Sequence, residues 1–199
     1  MNIFREFFSD PLKHSQQAKQ VKSPDEELSR EFVTLVFAAG REVCRSISEG
    51  VRDVTRSEYS FPINDDASIK VSLAILGTSL AALKGHVQIM SGDRGAGIEA
   101  FCKRAIQRDY GLTPDSANQM IAALDAYQAA FTNSIANKKN PFNEASGMML
   151  VQWLGPRINT QFVPGTTVIN PATQELVGGL LTLTINKVLT FWKGNRNFT

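Results

Sequence analysis

Cysteine and histidine are scarce, with two of each in 199 residues. Cys44 and Cys102 lack the paired spacing of a metal knuckle and are too few for a disulfide scaffold, so both are expected as free thiols in a reducing cytoplasm. The opening MNIFREFF has neither the long apolar core of a secretory signal nor its small-residue cleavage site. Glu-x-x-His pairs, the mark of di-metal helical bundles, do not occur, and neither metal nor cofactor is expected. A dominant charge is lacking too: 21 Lys and Arg against 19 Asp and Glu leave +2, too little to hold a polyanion by bulk attraction. The longest uncharged apolar run, Val71 to Leu83 between Lys70 and Lys84, has 13 residues. A spanning helix needs about 20, so no transmembrane segment is expected.

Sustained period-two alternation is also missing, and even Gln161 to Ile169 is broken by Pro164-Gly165. The fold class that remains is all-α, a bundle of six or seven helices. With 43% hydrophobic residues the chain can bury a core without a staple. Four helix starts are written as a capping side chain before a proline: Ser23-Pro24, Thr113-Pro114, Asn140-Pro141 and Asn170-Pro171. Ser23 and Glu26 complete a capping box.

Apolar residues at helical spacing follow each start. Leu28, Phe32, Leu35, Val36, Val43, Ile47, Val51 and Val54 extend a helix from 24 to about 55, with Gly40 and Gly50 as weak points. Met120, Ile121, Leu124, Tyr127, Phe131 and Ile135 form the stripe of 114–137; Phe142, Ala145, Met148, Met149 and Trp153 form that of 141–155. Two helices lack proline starts. Ile69, Leu73, Leu76, Leu80, Leu83, Val87 and Met90 predict a long central helix, about 65–91, with one seam toward a neighbour. Asp93 can cap the next, lined by Ile98, Phe101, Cys102, Ala105 and Ile106. The last helix, about 171–193, is apolar around most of its circumference, which predicts that neighbours or another chain bury it.

Residues 9–23 read as a polar, basic linker behind an aromatic N-terminal patch of Ile3, Phe4, Phe7 and Phe8, so that 1–23 is an arm and 24–199 a single all-α domain. Charge is uneven across that domain. Residues 1–110 carry 30 of the 40 charges and residues 111–199 only ten. A depleted surface faces either a partner or the interior, the second if the later helices occupy the centre of the fold.

Sites of chemistry are faint. His86 is a candidate base or ligand but has no partner in sequence, since His14 lies in the linker. Cys44 and Cys102 read as packing thiols, and the Glu42, Glu49 and Asp53 carboxylates as a salt-bridged helix face with Arg41, Arg45, Arg52 and Arg56. Gly92-Asp93-Arg94-Gly95-Ala96-Gly97 lacks the Lys-Ser/Thr of a phosphate loop and reads as a flexible turn. Lys103, Arg104 and Arg108 are candidates for a phosphate backbone, though no recognition motif accompanies them.

The preferred reading is a non-enzymatic interaction or regulatory protein that associates helix against helix, with itself or another protein. Phe4, Phe7, Phe8, Trp153, Phe191 and Trp192 are the candidate anchors. The alternatives are a protein binding a small apolar ligand in a pocket of Tyr127, Phe131, Met148 and Met149 with His86 or Arg94 fixing a polar group, or an enzyme whose site is unrecognised.

Overall fold

The first turn of a helix leaves amide protons unpaired, and nearby side chains decide where a helix starts by accepting them. The computed structural model describes residues 24–55, 63–85, 92–110, 113–154 and 171–194. These hold six helices and, among the described residues, no strand: α1 (Pro24–Thr55), α2 (Asp65–Gly85), α3 (Gly92–Asp109), α4 (Pro114–Ala136), α5 (Pro141–Leu154) and α6 (Pro171–Gly194). The protein is an all-α bundle, as its patterning predicts. Before α4, Thr113 Oγ1 accepts from the Ser116 amide at 3.1 Å while Ser116 Oγ accepts from the Thr113 amide at 3.0 Å, a reciprocal box. Asn140 Oδ1 accepts from the Phe142 amide at 3.0 Å and caps α5. Asn64, which no proline advertises, caps α2 by accepting from the Ala67 amide at 2.8 Å. Ser23 and Asn170 fall outside the described residues.

The helices form a ring of five around one. Helix α2 touches all the others, and the sequence α1, α3, α4, α5, α6 closes around it where α6 returns to α1. Every residue from Val71 to Leu83 is therefore buried. This corrects the single seam expected of the central helix. Leu73, Leu76, Leu80 and Leu83 are buried as predicted, but so are Ala74, Ile75, Thr78 and Ala82 between them, whereas Ile69 is 36% exposed at the rim. Val87 and Met90 lie outside the described residues.

Five neighbours fit around one helix only where side chains are small. At Gly40 a Cβ would stand 2.7 Å from the Ser68 carbonyl oxygen of α2, and at Gly77 one would stand 2.7 Å from the Leu124 carbonyl oxygen of α4. Gly40 is thus a crossing point rather than a weak point of α1. Beside it, Ser72 Oγ donates to Val36 O of α1 at 3.3 Å. The Thr78 and Ser79 hydroxyls are buried with no partner among the described residues, a cost the surrounding apolar burial must offset.

By length and composition α2 would pass for a membrane span, with a mean hydropathy of 1.4 over its most apolar 18 residues; 78% of that stretch is buried against the rest of the bundle. Its uncharged part is the 13 residues between Lys70 and Lys84. At about 1.5 Å per residue these reach only some 20 Å, short of a hydrocarbon core of about 30 Å.

Three further expectations need correction. The glycine-rich segment 92–97 is not a turn but the opening of α3, and Asp93 lies inside its first turn instead of capping it. Each glycine costs about 1 kcal/mol of helix propensity, but the buried stripe of Ile98, Cys102, Ala105 and Ile106 anchors the helix that follows. Ile135 is 57% exposed because the buried seam of α4 steps through Met120, Leu124, Tyr127, Phe131 and Ser134. Helix α6 buries one face, with Val177, Leu181, Ile185 and Trp192 against α5, α2 and α1, while Leu183 is 62% exposed.

Candidate functional site

Three features stand apart from packing: a half-buried ionic network, an arginine-lined groove, and the outer face of α4.

The network joins the C-terminal end of α2 to α3 and α4. Glu99 accepts from Lys84 Nζ through one oxygen and from Lys103 Nζ at 2.9 Å through the other, and Lys103 also reaches Asp125 at 2.7 Å. Gln128 completes it, donating to Glu99 at 3.1 Å while its carbonyl accepts from Lys84 at 3.0 Å. Burial alone would raise the Glu99 carboxyl, but the bonds from Lys84, Lys103 and Gln128 outweigh it and hold the group down at about 2. Nothing in the sequence announces this cluster beyond the i, i+4 pair Glu99 and Lys103, because its other members come from different helices.

The groove runs between α1 and α3, which lie side by side in the same direction, as the pairs Asp25–Arg94 and Phe37–Tyr110 show. It has a volume of about 330 Å³ and is lined by Glu26, Arg30, Phe101, Arg104, Ala105, Gln107 and Arg108. Arg30 meets Asp109 through Nε at 3.0 Å, and Arg108 meets the same carboxylate at 3.2 Å. Arg104 holds its guanidinium carbon 4.5 Å over the Phe101 ring. Of the three cations expected on one phosphate-tracking face, Lys103 is turned away into the Glu99 network.

The outer face of α4 is exposed at Asn118, Ala122, Ala126, Ala129, Asn133 and Ala136, steps of three and four that make one continuous stripe. Asp115 stands exposed at one end and Lys138 and Lys139 at the other. Asp125, at the flank, is held by Lys103. Within the charge-poor second half, this stripe of α4 is thus exposed, while the centre of the fold is held by α2.

No protein-family model matches the chain, and no curated protein or solved structure shows significant similarity to it.

The residues singled out from sequence are dispersed. Trp192 is buried edge-on to Phe32 at 5.3 Å, and Phe191 stacks on the same ring at 6.1 Å, so both serve the core of this chain. Tyr127 and Met149 are fully buried, Phe131 meets Phe142 at 5.5 Å, and Met148 packs at the edge of the core. Arg94, expected beside them, instead pairs with Asp25 of α1 at 2.9 Å. Phe4, Phe7, Phe8 and His86 lie outside the described residues, as does the side chain of Trp153. Among the described residues no three His, Cys, Asp or Glu side chains gather as a metal site.

Both cysteines are buried and unbridged. Burial pushes the Cys44 thiol up to about 11 against the pull of Ser68 and Arg41, and the Cys102 thiol up to about 12. Ellman's reagent at neutral pH should therefore titrate neither thiol in the native protein and both after addition of denaturant; rapid labelling of the folded protein would contradict the packing around them.

Proposed function

We propose that this chain is a non-enzymatic helical interaction or regulatory protein that pairs with a second copy of itself through the outer face of α4. The observation that carries the reading is the pattern of that face. Alanine at 122, 126 and 129 lets two helices approach closely, and the exposed charges at its two ends, Asp115 and Lys138, are opposite in sign, while Lys139 beside the latter is paired with Glu144 at 3.4 Å. In an antiparallel pair centred on Ala126, Asp115 lies eleven residues before the centre and Lys138 twelve after it, so each acid meets the other copy's basic end. Opposed helix dipoles favour the same arrangement. A cytoplasmic setting fits two unbridged thiols.

One helix face is small for an interface, which sets a weak, concentration-dependent dimer with a dissociation constant of roughly 10 µM. Sedimentation across concentration should show it. Ala126→Glu, which sets two like charges at the centre, should weaken it by at least about tenfold, equivalent to 1.4 kcal/mol. Asp115→Lys and a Lys138→Glu/Lys139→Glu variant should each weaken it, and the combined reversal should restore it. A strictly monomeric protein would overturn the proposal, and a dimer indifferent to these changes would remove α4 from it.

A further inference from the structure

We infer that the groove between α1 and α3 binds a small organic carboxylate, one negative charge carried on an apolar ring or short chain. The charge count sets the class. Among the described residues, Arg30, Arg104, Arg108 and Glu26 line the groove, and Asp109 pairs with Arg30 and Arg108 at its edge, so three cations stand with two carboxylates and one positive charge is left over. A single carboxylate neutralises that excess; a doubly charged phosphate ester would overshoot it.

Donors are in place for such a group. A guanidinium has five N–H donors. Arg30 offers two of its nitrogens, Nε and Nη2, to Asp109, and Arg108 offers Nε alone. Nη donors on both therefore have no partner among the described residues. Among the described residues Arg104 forms no ion pair, and its guanidinium carbon stands 4.5 Å over the Phe101 ring. Because Arg104 and Arg108 are four apart on α3, they share one wall, while Arg30 projects from the opposite helix. A planar carboxylate can be gripped by two nitrogens of one guanidinium, a geometry lysine does not offer.

The rest of the lining fixes what the carboxylate is attached to. Phe101 and Ala105 give an apolar floor, and the guanidinium of Arg104, held 4.5 Å over the Phe101 ring, stands beside it where a ligand ring can meet it. A volume of about 330 Å³ is at the small end for ligand clefts and suits one ring or a short chain. The groove shares no residue with the outer stripe of α4, so this inference and the self-association proposal stand or fall separately.

Benzoate is the direct probe, with acetate as the anion that lacks a ring and benzyl alcohol as the ring that lacks charge. In a ¹H–¹⁵N titration of the full chain, benzoate should move the Phe101, Ala105 and Gln107 amides saturably, and added salt should weaken it. Acetate and benzyl alcohol should each bind at least about tenfold more weakly. Arg104→Gln and Arg108→Gln should each cost about tenfold, Arg104→Lys should recover part of that loss, and Lys70→Gln, which touches neither the groove nor the α4 stripe, should change nothing. Unchanged spectra away from the groove identify variants that have kept their fold. The inference is overturned if benzoate fails to saturate by about 10 mM, if acetate binds as well as benzoate, or if the Arg104→Gln/Arg108→Gln double variant binds as the unaltered chain does.

Discussion

Gly77→Ala should destabilise the bundle by about 1–3 kcal/mol even though alanine is the better helix former by about 1 kcal/mol. The added methyl has nowhere to go. It would stand 2.7 Å from the Leu124 carbonyl oxygen and 2.8 Å from the Tyr127 Cβ, and the first of these is backbone that moves only if α4 moves. Gly97→Ala supplies the contrast. Gly97 sits in α3 with nothing within 4 Å of its would-be Cβ, so the same substitution should stabilise by about 0.5–1 kcal/mol. Thermal melts of the two variants should therefore shift in opposite directions, by about 2–4 °C per kcal/mol for a chain of this size. If both variants gain stability, α2 and α4 do not approach as closely as described.

Acid should loosen the bundle at the junction of α2, α3 and α4. The Glu99 carboxyl is held at about 2 in the folded protein against an ordinary value of 4.5. A group with a depressed folded value contributes its full stability above the unfolded value, and loses it as pH falls through the folded one. The window is thus from about pH 4.5 down to about 2. Because Lys84 and Lys103 are 42% and 27% exposed, solvent screens the network, and the contribution is about 2 kcal/mol instead of the larger figure the shift alone would give. Glu99→Gln should lose that amount at neutral pH, and between pH 4.5 and 2 its stability should fall less steeply than that of the unaltered protein. Urea unfolding at pH 7 and pH 3 measures both. Equal stability at pH 7, or parallel decline in acid, would remove Glu99 from the account.

Local signals in the sequence carried well into the fold. Thr113 and Asn140 cap the helices that Pro114 and Pro141 begin, because a cap depends on residues within one turn. What depended on several helices at once was read only in part. The leucine seam of α2 is real, yet periodicity could not reveal that Ala74, Ile75, Thr78 and Ala82 are covered as completely as the leucines, since that follows from how many neighbours surround them. Gly92 to Gly97 reads as a turn on propensity and is helical through its packing. The candidate site was least legible. Arg104 and Arg108 stood out as cations, but that Lys103 turns aside to Glu99 and Asp125, and that Arg30 and Asp109 arrive from seventy-nine positions apart, are facts of helix placement. The α4 stripe was foreshadowed by charge depletion alone, which had no means of telling outside from inside.

The five-around-one arrangement also sets an order of events during synthesis. Helix α6 is the last of the six to leave the ribosome, and it closes the ring by bridging α5 to α1 across the flank of α2. Until it emerges, the nascent chain carries its central helix with one side unsheathed, a state prone to clump with other unfinished chains. Exposed Gly179 and Thr190 do nothing for the finished bundle's interior, whereas Val177, Leu181 and Ile185 act as its final bolt.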